Sequence, residues 1–103
     1  MIPYVILPGC LRDIDELLAF AERQSGKSAS EDLEKRLFAA IEQLATFPGI
    51  GHRRSDLTSR PYFFYTADPY LIIHARGQDP MPILAVFHSS RDIKRLLRSK
   101  RFK

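Results

Sequence analysis

The sequence contains one cysteine, Cys10, which rules out an internal disulfide framework. That fits a reducing cytoplasm, with Cys10 as a small packed residue rather than a nucleophile. No apolar run approaches the ~20 residues of a membrane span. The stretch Ile2–Leu7 is too short for a secretory core and follows no basic segment, so neither export nor a membrane partner is expected. Three histidines, His52, His74 and His88, share no ligand spacing, and no metal or cofactor is expected. The loop at Gly49 and Gly51 lacks the Lys-Ser/Thr ending of a phosphate loop and follows a helical pattern rather than a strand. No nucleophile-elbow pattern is present, and no carboxylate pair stands apart from the acids of the helix surfaces.

What is present describes one ordered domain over residues 1–103. Hydrophobic residues make up 45% of the chain, too many for a disordered segment. The net charge of +4 is unevenly placed. Residues 1–47 carry 5 basic and 8 acidic side chains, whereas residues 48–103 carry 11 and 4. Between Arg91 and Lys103 there are 7 basic residues against one acid. Such segregation points to an anionic partner for the second half, or to a solvated basic helix whose cations complement its C-terminus.

The chain reads β-α-α-β-β-β-α. Ile2–Leu7 is a first strand, closed by Pro8-Gly9. From Leu11 onward, Leu11, Ile14, Leu18 and Ala21 fall on one helical face. Ser25–Ser28 breaks the pattern, and Ser28 with Glu31 forms a capping box, with Ser30 as a rival cap. Leu33, Leu37, Ile41 and Leu44 then form the stripe of a second helix that stops at Pro48-Gly49. Tyr62–Thr66, Tyr70–Ala75 and Met81–Phe87 are three strands joined by short turns. The fold class is therefore α+β, a helical hairpin packed on a small antiparallel sheet. The unbroken apolar run Ile83–Phe87 marks an inner strand covered on both faces. Ile93, Leu96 and Leu97 resume helical spacing, with Ser89 or Ser90 as the cap and Asp92 in the first turn.

Where that strand meets that helix, His88, Arg91 and Asp92 share a corner. This is the first place to look for a reactive or target-reading site. An imidazole exchanges protons near neutral pH, and flanking guanidinium groups can hold a phosphate. The plainer reading is that His88 caps the strand end or bonds Asp92. His74 in its apolar strand is a packed residue or one edge of an exposed face. His52, Arg53 and Arg54 are either a target contact or solvated charge. The aromatics Tyr62–Tyr65 serve as a nucleic-acid platform or as alternate faces of a half-buried strand.

Three patterns in register carry a resemblance. They are Pro8 followed by Asp13-Ile14; Phe47–His52 followed by Asp56-Leu57; and Tyr70–Ile73 leading to Val86–Ile93. In this order they resemble the RelE/ParE superfamily of bacterial type II toxins, over nearly the whole chain. The resemblance implies a cognate antitoxin whose C-terminal segment wraps the toxin, and operator DNA bound only through that antitoxin. It also implies one of two activities. The ParE-like reading, favoured by the His-Ser-Ser-Arg-Asp corner, is inhibition of DNA gyrase, with His52, Arg53, Arg54, Lys94, Arg95 and Arg98 contacting the target. The RelE-like reading is ribosome-dependent mRNA cleavage, with His88 as general acid/base and Arg76 and Arg91 as phosphate clamps. A non-catalytic antitoxin-binding module is the third reading.

Overall fold

The structure is a computed structural model that describes residues 1–102. Strand β1 (Tyr4–Ile6) leads into helices α1 (Pro8–Ser25) and α2 (Lys27–Thr46). Strands β2 (Phe63–Ala67), β3 (Tyr70–His74) and β4 (Met81–His88) follow, and then the short helix α3 (Ile93–Leu96). Single 3-10 turns lie at Pro48–Ile50 and Lys100–Phe102. The expected α+β order is found, with two helices on a four-stranded sheet.

The local starts and stops differ from the sequence reading. Pro8 opens α1 rather than ending β1, because its ring fixes φ at a helical value and its missing N–H is not needed in a first turn. A single residue, Gly26 at φ 90°, separates the two helices and donates its N–H to Glu22 O at 2.8 Å. Glycine suits that left-handed φ. No capping box forms, since α2 already begins at Lys27 without a side-chain cap. Ser30 instead donates its hydroxyl to Leu18 O at 3.0 Å and so ties α2 to α1.

The sheet order is β1-β4-β3-β2. Strands β2, β3 and β4 form the expected antiparallel meander, but β1 joins β4 in parallel, from Tyr4↔Met81 to Ile6↔Ile83. The sheet is therefore mixed. Apolar periodicity reports which face a strand buries and says nothing about its direction, so a three-residue strand carried no warning of this.

Strand β4 is internal and buried on both faces, as its unbroken apolar run required. The helix side holds Ile14, Leu37, Ile41, Leu44, Ile72, Met81, Ile83 and Val86. The other side holds Phe64, Leu71, Ile73, Ala85, Phe87, Ile93, Leu97 and Phe102. Met81 and Ile83 face the helices, yet so does Val86, which breaks the alternation of two. The cause is a bulge: Ile73 pairs with Ala85 but His74 pairs with Ile83, which leaves Leu84 without a partner on β3. The extra residue flips the face of everything after it.

The bulge also turns the outer edge of β4. Before it, Ile83 O accepts from Leu7 N of the β1 connection at 3.1 Å. Beyond it β1 has ended, and two side chains take over the strand's role. Asp13 of α1 accepts the Val86 N–H at 3.1 Å, and Arg101 donates to Leu84 O at 2.8 Å. The same two side chains form a bidentate ion pair at 2.8 and 2.7 Å, joining α1, β4 and the C-terminal turn.

Candidate functional site

The corner after β4 is tightly tied. Ser89 N donates to Pro69 O at 2.8 Å and Arg91 N to His88 O at 3.0 Å. His88 Nδ1 accepts the Ser90 N–H at 3.0 Å, so the neutral ring carries its proton on Nε2. The ring stands edge-on to Tyr70 at 5.5 Å. His88 thus caps the turn through Ser90, not through Asp92. Asp92 is itself the cap of α3, accepting the Arg95 N–H at 3.2 Å, a role expected of Ser89 or Ser90.

His88 and Arg91 do come together. Both line a groove of about 790 Å³ between α1 and the outer half of β4. Its walls are Leu17, Phe20 and Ala21 of α1 and Val86 and Phe87 of β4, with Glu16 and Arg23 on the rim. Phe20 lies outside the apolar stripe of its helix and is 57% exposed. That misplaced aromatic was the one sequence signal for the groove. The alternation that sends Ser89 N to Pro69 turns Val86 C=O and His88 N–H toward this groove. It is a piece of open strand edge beside an apolar wall.

Arg76 is not part of that site. Tyr70 pairs with His88 at one end of β3, whereas Arg76 follows His74 beyond the other end. The five residues of β3 set its ends about 13 Å apart, and Arg76 lies two residues beyond the second. There the Arg76 guanidinium lies 3.7 Å over the Phe63 ring and donates to Gly51 O. Arg53 approaches the same ring at 6.0 Å. His52 fixes this loop to β2 through paired backbone bonds with Phe64 at 2.9 and 2.8 Å, its own side chain exposed.

The remaining basic residues divide by partner. Arg54 is held by Asp56 in a bidentate pair at 2.9 and 2.8 Å, which pulls the Asp56 carboxyl below the usual range and raises the Arg54 guanidinium. Arg54 is therefore committed within its own loop. Lys94 and Arg98 face Arg60 across a shallow cavity that Leu57, Thr58, Ser59 and Leu97 complete. Arg95 is exposed on α3 and lies outside that cavity. The sequence reading missed Arg101 altogether, and it missed the approach of two arginines to Phe63. Neither left a local trace, because each joins segments far apart in the chain.

Beneath the Phe63 stack, His74 is fully buried and neither ring nitrogen has a hydrogen-bond partner. Burial pushes its pKa down from 6.5 to about 4, and the nearby Arg76 charge adds to the effect. The Ala75 backbone opposes this shift, by more than the Arg76 charge adds to it. Below pH 6.5 the unfolded chain binds a proton that the folded chain refuses, so stability falls from pH 6.5 to about 4 and then levels off. Replacing His74 with leucine should remove that part of the acid sensitivity, worth about 2 kcal/mol. Urea unfolding of both proteins at pH 7 and pH 4.5 measures it; equal losses on acidification would refute the assignment.

Among the described residues, no three of His, Cys, Asp and Glu meet as a metal site. No helix is long and apolar enough to cross a membrane. A helical hairpin over a mixed sheet, with an open strand edge on one side and cations on another, makes a small α+β domain with a peptide-sized groove. Residues 4–93 match the family described as the ParE toxin of the type II toxin-antitoxin system, parDE. The chain belongs to that family and is the toxin component of a type II system, which implies a cognate antitoxin. No curated protein matched the chain individually.

Proposed function

We propose that this toxin acts in the cytoplasm by inhibiting DNA gyrase and is neutralised by an antitoxin segment seated in the groove between α1 and β4. The supporting observation for gyrase is the dispersal of the nuclease set. Arg76 stacks on Phe63 at the far end of the sheet, while His88 spends Nδ1 on the turn. General acid/base cleavage of RNA needs these groups around one phosphate. A gyrase inhibitor needs only a surface. The groove suits an extended apolar peptide, which gains backbone bonds from the Val86–His88 edge and buries side chains against Phe20. Sequence-specific reading of the operator then belongs to the antitoxin.

Purified gyrase tests the activity. Near-equimolar toxin should block supercoiling or trap cleaved DNA. Ribosome-dependent mRNA cuts that vanish in His88→Gln would replace this reading with the nuclease one, which the shared groove of His88 and Arg91 favours. Inactivity in both assays, with no growth arrest, would leave the binding module. For the groove, Phe20→Glu should weaken antitoxin binding at least about tenfold. Its fold should be unchanged, because the side chain is already largely in water. Unaltered affinity in calorimetry would place the antitoxin elsewhere.

A further inference from the structure

The cations at the β2 side of the sheet are better organised than surface charge requires. Arg76 lies 3.7 Å and Arg53 6.0 Å from the centre of the Phe63 ring, so their guanidinium carbons are no further apart than those two distances combined. Arg76 is held there by Gly51 O as well. The loop beneath them is pinned to β2 by the His52–Phe64 backbone bridge. Arg60 lies three residues before the edge strand β2 and faces Lys94 and Arg98. Among the described residues, none of these five cations is in an ion pair. Arg54 and Arg101, by contrast, are neutralised at close range, by Asp56 and Asp13. Like charges held together without counter-ions lower stability unless an external anion offsets them.

We infer that this strip, Arg76–Arg53–Arg60–Arg98–Lys94, is a contact surface for the phosphodiester backbone of duplex DNA. A single phosphate or a single acidic side chain would satisfy one end of the strip and leave the other bare. A duplex presents one charge per about 1.7 Å of axis and meets all five. A stacked, preorganised guanidinium group such as that of Arg76 holds phosphate oxygens with little ordering to be lost on binding. The strip shares no lining residue with the groove of His88 and Arg91, so a segment seated in that groove leaves it open. It extends the gyrase reading by giving the toxin its own hold on DNA, and it is measurable without gyrase.

The test is fluorescence anisotropy of a labelled 20-base-pair duplex with the full chain over a range of KCl concentrations. Five phosphate contacts predict a slope of log K against log salt of about −4.5. Arg53→Ala/Arg76→Ala should reduce that slope by about 2 and lower affinity at low salt at least about tenfold. Arg53→Ala alone, which removes no hydrogen bond, should reduce it by about 1 and guards against a misfolded loop. Lys27→Ala/Lys35→Ala removes the same charge from the helical hairpin and should match the native protein. The inference is overturned if both double variants behave alike, if the native chain does not bind, or if polyglutamate displaces DNA at equal charge. The last result would assign the strip to an acidic protein surface. Gyrase inhibition surviving the loss of DNA binding would separate this inference from the proposed activity.

Discussion

Asp13→Ala should lower the unfolding free energy by about 3 kcal/mol, the largest loss expected from any charged residue in this chain. Its carboxylate is only 10% exposed and accepts three hydrogen bonds, two from Arg101 and one from Val86 N. Removing it leaves a strand N–H orphaned and a partly buried guanidinium without its counter-ion. Arg101 is 29% exposed, so the cost sits at the low end of what a broken buried pair brings. For a domain of this size the melting temperature should drop by roughly 15 °C. Asp56→Ala provides the contrast. It breaks a bidentate pair of similar length, 2.9 and 2.8 Å, but between two exposed side chains. Water and salt screen that pair, and little change is expected. Equal melting temperatures for the two variants would show that Asp13 and Arg101 do not substitute for a strand on the edge of β4.

At Gly51 the backbone is extended, at φ −76° and ψ 154°, which any residue adopts.

 Space, not conformation, requires glycine there. A Cβ at Gly51 would fall on His74 Nε2 and lie 3.1 Å from Cε1. His74 is fully buried under Phe63 and cannot swing aside. Gly51→Ala should therefore cost about 3 kcal/mol, typical of forcing a methyl group into a closed contact. Displacing the loop would also disturb the Arg76 bond to Gly51 O and the stack on Phe63. The double variant Gly51→Ala/His74→Ala should recover much of the alanine penalty at position 51, because the small side chain vacates the site. Urea midpoints of the four proteins form the cycle. Strictly additive losses would mean that loop and imidazole do not touch.

Much of this molecule was legible in order and in period. The stripe Leu33, Leu37, Ile41, Leu44 gave α2 its buried face, and the uninterrupted Ile83–Phe87 run required cover on two sides. Both follow from spacing along a single element. The boundaries were less legible. Ser28 and Glu31 have the form of a cap but lie inside α2, because Gly26 alone turns the chain and Ser30 is drawn to Leu18. The candidate site was legible in composition and only partly in geometry. His88 and Arg91 are neighbours in sequence and share a groove, whereas Arg76 was grouped with them by chemistry and lies at the opposite end of β3.

By itself the sequence determined the helical hairpin, the three-strand meander, the doubly buried final strand and the concentration of positive charge in the second half. These are consequences of local spacing and composition, which no later contact revises. Tertiary structure alone decided the parallel β1, the bulge at Leu84 and the pairing of each arginine. Arg101 finds Asp13 across 88 residues, and Val86 finds the same carboxylate across 73. Such partners depend on strand register, and one unpaired residue at Leu84 changes which side chains and backbone groups face which neighbour.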